Sequence, residues 1–296
     1  MAMKTIHIYN PAAGSGIKDA LPENHYITKS AGDCRRYIAE CCKEDPYTHF
    51  VVHGGDGTIN EAVAGVLAAG AGETARLTFV PAGSGNDTVR TLAAMEGEDF
   101  PLDAYLCNGR HGVNMVNIGF DCNVVSSASR FKKKHGIAGS LSYLLGIVTE
   151  FFKPFGWRFS VKATEADGDT FEFEGDTLLC AVCNGQWCGG GFHNSPLSDM
   201  RDGVMELLLV KKVSRLKFIT LIGKYKKGTL IDPASGDVYE KYAHIVTYKR
   251  ITSITVRGTK QVCIDGEVIE ADSAEIEILP AALRYLADAV AVKETV

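Results

Sequence analysis

Short apolar runs that end in glycine-rich turns set the pattern of the first third of the chain. Thr5 to Tyr9, Phe50 to His53 and Leu77 to Val80 each read as a buried strand bounded by turn residues. Between them, Ala31 to Glu44 and Thr58 to Ala68 carry apolar residues at helical spacing. This alternation predicts parallel strands joined by crossover helices. The texture changes from about Val124. Between Arg158 and Leu279, short alternating runs dominate, among them Phe159-Ser160-Val161, Leu178 to Val182, Met205 to Val210, Ile251 to Val256 and Glu275 to Leu279. They predict an antiparallel sandwich or barrel. Ala281 to Val292 is helical in pattern and is expected to pack back on the first domain. The expected division is an α/β domain over residues 1–122, rejoined by a helix at 281–296, and a β-rich domain over 123–280.

A chain of 296 residues is long enough for two such domains. Hydrophobic residues at 46% and charged residues at 23% are ordinary for a folded soluble protein. No run reaches the roughly 18 apolar residues that a spanning helix needs. Met1-Ala2-Met3-Lys4 leads directly into a strand and not into a secretory leader, so a cytoplasmic protein is expected. A net charge of −5 argues against nucleic acid as partner and leaves room for a local basic patch facing anionic lipid. The nine cysteines, an odd number lying mostly in helix-like or strand-like runs, suit a reducing compartment. Cys180 and Cys183 with Cys188 lack the second matched pair of a zinc site.

The turns carry the chemistry. Asn10-Pro11-Ala12-Ala13-Gly14-Ser15-Gly16, Gly54-Gly55-Asp56-Gly57-Thr58 and Pro81-Ala82-Gly83-Ser84-Gly85-Asn86-Asp87 each follow a strand, where an open α/β sheet places its ligands. Glycines let the backbone approach phosphate oxygens, and the helix starting near Thr58 aims its amides and positive dipole end at them. Asp56 can hold Mg²⁺ directly or through water. The first turn has neither the lysine of a Walker loop nor a full Gly-x-Gly-x-x-Gly fingerprint, which disfavours a P-loop NTPase or an ordinary dehydrogenase. Asn86 and Asp87 suit a helix cap as well as a ligand contact. Asp265-Gly266-Glu267 lies between two strand-like runs and would serve as a plain hairpin turn.

Taken together, Asn10-Pro11-x-x-Gly14, Gly54-Gly55-Asp56-Gly57-Thr58-x-Asn60-Glu61, Pro81-x-Gly83-Ser84-x-Asn86-Asp87 and Asp265-Gly266-Glu267 resemble the diacylglycerol kinase catalytic family. That family includes soluble bacterial lipid kinases and the sphingosine and ceramide kinases. The resemblance runs from Lys4 to about Leu279. It implies a Rossmann-like α/β nucleotide domain followed by a β-sandwich, and an ATP- and Mg²⁺-dependent transfer to diacylglycerol or a related lipid alcohol. ATP would lie against Asn10, Pro11, Ala12, Ala13, Gly14, Thr28, Gly54, Gly55, Asp56, Gly57, Thr58, Asn60 and Ser84, the last standing where the family usually shows threonine. Glu267 is favoured as acceptor of the lipid proton, with Asp265 as its neighbour and Asp56 as the alternative base. Asp121 would join Asp56 in a metal network, and Asp199, Asp202 and the Val204 carbonyl would hold a structural Mg²⁺.

The basic run Arg130 to His135, with Lys132, Lys133 and Lys134, and a second cluster from Lys211 to Lys227 are candidates for peripheral contact with the inner face of the membrane. The apolar stretch Gly139 to Phe152 suits an acyl-chain entrance or a core helix. Three alternatives stay open: an NAD kinase-like phosphotransferase sharing the Gly-Gly-Asp-Gly-Thr loop, a nucleotide-binding regulatory module without turnover, and assembly as a homodimer.

Overall fold

A computed structural model describes residues 3–14, 16–17, 20–135, 140–154 and 156–287. The chain begins with β1 (Thr5–Tyr9), β2 (His25–Ile27), α1 (Asp33–Glu44), β3 (His49–Gly54), α2 (Asp56–Ala68), β4 (Arg76–Pro81) and α3 (Asp87–Ala93). It continues through β5 (Asp99–Cys107), β6 (Arg110–Gly112), β7 (Met115–Gly119), α4 (Phe120–His135) and α5 (Ser140–Phe151). Then come β8 (Trp157–Glu165), β9 (Thr170–Cys183), β10 (Met205–Lys211), α6 (Arg215–Lys226) and α7 (Glu240–Ala243). The last elements are β11 (Val246–Arg257), β12 (Gln261–Ile264), β13 (Glu267–Glu270) and β14 (Ser273–Leu286).

Strands β2, β1, β3 and β4 pair in parallel, as the strand and helix alternation requires. Ile6, Ile8, Phe50 and Val52 alternate onto the face that meets Ile38 of α1 and Ile59 and Val63 of α2, and they form one core. The remaining strands pair antiparallel through β5–β14, β7–β9, β8–β9, β9–β10, β10–β11 and β11–β14, around a second core that includes Phe159, Val182, Leu207 and Ile254.

The helix expected over 281–296 is not formed in its described part. Ala281 to Leu286 is the end of β14, and residues 288–296 lie outside the described residues. Alanine and leucine favour helix locally, but Leu283 and Tyr285 alternate into the first core, where Tyr285 meets the rings of Phe79 and Phe100, while Arg284 pairs with Asp99. Tertiary packing overrides propensity here. Strand β14 changes register near Pro280, where Ala281 takes a positive φ of 50° and donates its amide to the buried Asp103 carboxylate at 2.7 Å. It then reaches β4 through Tyr285 and Leu77, so both halves share one continuous sheet. Strands β5 to β7, which precede residue 122, pair with β14, β12 and β9 of the antiparallel part.

Candidate active site

The three glycine-rich loops meet at the C-terminal ends of β1, β3 and β4. Their approach is so close that side chains cannot enter. A Cβ on Gly83 would lie 2.5 Å from the Gly55 Cα, and one on Gly14, whose φ is +54°, would lie 2.2 Å from the Ala82 carbonyl oxygen. Asn10 accepts the Ala12 amide at 2.9 Å, which shapes the first turn, and its Nδ2 donates to the Thr58 hydroxyl at 2.8 Å. Thr28 is buried and donates to the Tyr9 carbonyl beside these loops. Ser15 lies outside the described residues.

Asp56 opens α2 and accepts the Thr88 amide of α3 at 3.1 Å, tying the second loop to the third. Burial and the charge of Asp265 raise its pKa. Asp87, the first residue of α3, is buried, accepts the Gly190 amide at 2.8 Å and pairs with Arg90 at 3.0 Å. Burial, followed by the nearby Asp56 charge, pushes its pKa up to about 6. The neighbouring Asp56 charge makes Asp87 costlier to ionise, a repulsion that a bound cation would relieve.

Asp265 occupies the β12–β13 hairpin with φ 45°, followed by Gly266 at φ 89°, as an Asp-Gly turn with two left-handed residues requires. Its carboxylate accepts the amides of Val113, Asn114 and Met115 at 2.8, 3.0 and 2.8 Å, the Tyr105 hydroxyl at 2.6 Å and Asn60 Nδ2 at 2.9 Å. Five donors fill the acceptor capacity of one carboxylate. Asp265 is therefore a clasp joining the hairpin, the β6–β7 turn and α2. The adjoining motif residue Glu61 is also structural, accepting the amides of Gly32 and Cys34 at the start of α1.

Asp56, Ser84, Gly85, Asp87, Asn114, Asn117, Gly190 and Asp265 line one cavity of about 230 Å³, whose opposite wall is Val125, Ala128 and Lys132 of α4 and Ser142 and Tyr143 of α5. The cavity is thus acidic and amide-rich where the loops meet, and α4 and α5 add a mixed wall in which Val125, Ala128 and the Tyr143 ring stand beside Ser129, Lys132 and Ser142. Asn117 is buried, and its Oδ1 takes no hydrogen bond among the described residues. An unpartnered buried oxygen beside carboxylates is a donor set that suits a hard cation such as Mg²⁺. Nothing in the sequence singles out Asn117 within Asn117-Ile118-Gly119-Phe120-Asp121. The Gly189-Gly190-Gly191 run, by contrast, is a visible signal: each residue has positive φ, and a Cβ at Gly189 would lie 2.6 Å from the Tyr143 ring.

Three of the expected sites lie away from this cavity. Glu267 stands outside this cavity, with its side chain 68% exposed and paired to Arg110 at 2.9 Å, because it begins the strand beyond the turn and faces solvent. Asp121 does not face the cavity. The first turn of α4 carries it inward, where the Tyr225 hydroxyl donates to it and burial pushes its pKa up to about 6. Asp199 and Asp202 do not converge on a shared point: Arg201 chelates Asp199 at 3.0 and 3.1 Å, and Arg250 holds Asp202 at 2.5 Å. Guanidinium groups pair with these oxygens, so a cation beside Val204 would have to displace both Arg201 and Arg250. The loop is held instead by Asp103, which accepts the Gly203 amide at 2.7 Å.

Residues 4–118 match the diacylglycerol kinase catalytic domain, and residues 114–287 match the YegS C-terminal NAD kinase beta sandwich-like domain. The chain belongs to the diacylglycerol kinase family of lipid kinases. Similar family members include a "Probable lipid kinase YegS-like" from Klebsiella pneumoniae (strain 342), 26% identical over 274 residues, covering 87% of this chain and 84% of that one. Another, of the same description, from Pseudomonas putida, is 25% identical over 269 residues, covering 87% and 82%. A crystal structure of a diacylglycerol kinase from Bacillus anthracis str. Sterne superposes with a TM-score of 0.65 at 21% identity, covering 97% of this chain and 98% of that one, and establishes the shared fold.

Proposed function

We propose that this family member transfers the γ-phosphoryl group of ATP to the hydroxyl of diacylglycerol or a related lipid alcohol, using Mg²⁺, at the inner face of a membrane. The observation that carries this reading is the one cavity that Asp56 and Asp87 share with Val125 and Ala128 of α4 and the Tyr143 ring of α5. Asn10 to Gly14, Gly54 to Thr58 and Ser84 would line the triphosphate, with glycine amides and the N-terminus of α2 donating to its oxygens. Bound Mg²⁺ would neutralise charge between the phosphates, held by Asp56, Asp87 and Asn117. The hydroxyl oxygen attacks the γ-phosphorus in line, the bond to the β,γ-bridging oxygen breaks, and ADP leaves. The hydroxyl proton passes to a carboxylate. Asp56 suits that role best by position: it lines the cavity, whereas Glu267 is exposed and Asp265 is filled by its five donors.

The test is incubation of purified protein with labelled ATP, Mg²⁺ and a panel of lipid vesicles plus NAD. Labelled lipid is expected; labelled NAD, or ATP binding without product, would refute the reading. Asp56→Asn should lower turnover by at least about a hundredfold while circular dichroism stays unchanged.

A further inference from the structure

The helix α5 is built inside out. Its buried face carries Ser142, Tyr143, Gly146 and Glu150, while Leu141, Leu144 and Val148 point outward, with Phe152 just beyond its end. These four apolar residues follow the i, i+3, i+7, i+11 spacing of a single helical stripe. The buried polar groups are satisfied: Glu150 accepts the Ser127 hydroxyl of α4 at 2.5 Å and pairs with Lys153 at 2.6 Å. Gly146 lets α5 close on α4, since a Cβ there would lie 2.7 Å from the Val124 carbonyl oxygen. The orientation is therefore fixed by packing, and the apolar stripe is left outward.

The stripe continues onto a second helix. Arg215 at the start of α6 donates to the carbonyls of Phe151 and Lys153 at 3.1 and 3.2 Å, which joins the start of α6, with its exposed Leu216 and Ile219, to the end of α5. Phe152 is 75% exposed and Leu216 80%. Most of the large exposed apolar side chains among the described residues fall on this one face. Its charge is equally one-sided. Helices α4 to α6 carry Arg130, Lys132, Lys134, Lys217, Lys224 and Lys226 among their cations, and their only acids, Asp121 and Glu150, are buried. In a chain of net charge −5 this is a local excess of positive charge on the helices that carry and adjoin the apolar ridge, although Lys132 also reaches the cavity wall.

We infer that Leu141, Leu144, Val148 and Phe152 of the α5 stripe, with Leu216 and Ile219 of α6, insert into the interfacial layer of an anionic bilayer. A soluble partner would not require cations spread over three helices, whereas a bilayer with anionic headgroups is matched by both the apolar ridge and its basic surround. The inference rests on the lipid-kinase reading for its purpose. Residues of α4 and α5 also form the cavity wall, so docking through their outer face brings the acidic cluster to the surface from which a lipid hydroxyl would enter.

The test is co-sedimentation with vesicles of phosphatidylcholine and phosphatidylglycerol, against phosphatidylcholine alone and without ATP. The wild-type protein should bind the mixed vesicles. The double variant Leu144→Glu, Val148→Glu should lower partitioning by about tenfold or more, and Leu216→Glu should weaken it in the same direction. Tyr47→Glu, a control at an exposed residue outside this face, should bind as wild type. All variants should keep their circular dichroism and their turnover of a dispersed short-chain diacylglycerol. Absence of vesicle binding, binding that survives the α5 and α6 variants, or a wild-type dimer that the variants dissociate would each overturn the inference. Vesicle binding without lipid phosphorylation would instead count against the kinase reading alone.

Discussion

Asp265 and Glu267 are two residues apart and face opposite demands. Removing the Asp265 carboxylate strands the Val113, Asn114 and Met115 amides, the buried Tyr105 hydroxyl and Asn60 together. Asp265→Ala is expected to lower stability by about 3 to 5 kcal/mol, read from urea unfolding, because several donors lose one shared acceptor. Glu267→Ala removes an exposed ion pair and should leave the unfolding midpoint almost unchanged. If turnover collapsed in a stable Glu267→Ala protein, the assignment of the proton to Asp56 would fail. The sequence shows both acids as one motif. Only the hairpin geometry separates a saturated clasp from a solvated side chain, since the chain reverses at the left-handed Asp265-Gly266 pair before Glu267 begins the next strand.

At the scale of elements, the glycine-rich loops owe their shape to contacts made between segments distant in the chain. Gly55 and Gly83 are separated by 27 intervening residues in sequence, yet their backbones touch. Gly83→Ala would drive a Cβ to 2.5 Å from the Gly55 Cα and force the second and third loops apart. The expected cost is about 1 to 3 kcal/mol of stability, with loss of the thermal shift that ATP and Mg²⁺ confer on the wild-type protein. A Gly83→Ala protein that retains that shift would show that the loop contact is dispensable for nucleotide. The strand-to-helix boundaries of this half are legible because apolar runs and glycines coincide. The α5 stripe is less so: its apolar spacing fits a core helix and an interfacial helix equally, and only burial of Ser142 and Glu150 shows which face is inward.

Across the whole molecule, β14 is the shared member of both halves, pairing with β5 and β11 and reaching β4 through Tyr285. Among the described residues no helix is long and apolar enough to cross a membrane. A continuous sheet predicts that the halves unfold together. Near-ultraviolet signals of Trp157 and Trp187, both in the antiparallel half, should therefore coincide with the far-ultraviolet transition of the whole chain on heating. Two transitions separated in temperature would show that the halves are energetically independent despite their joined strands.

Local information settles what depends on neighbours in the chain. The parallel strands, their crossover helices, the antiparallel alternation and the turns able to bring amides to phosphate all follow from side-chain period and glycine placement. The tertiary structure decides what depends on distant partners: that Ala281 to Leu286 becomes strand because two aromatic rings receive Tyr285, and that Asp121 is buried under Tyr225. It likewise decides that Asp199 and Asp202 are claimed by arginines, and that Asp87 and Asn117 join Asp56 around one cavity. Period and propensity act over a few residues, whereas the charge, burial and acceptor capacity of a carboxylate are set by whatever the folded chain places beside it.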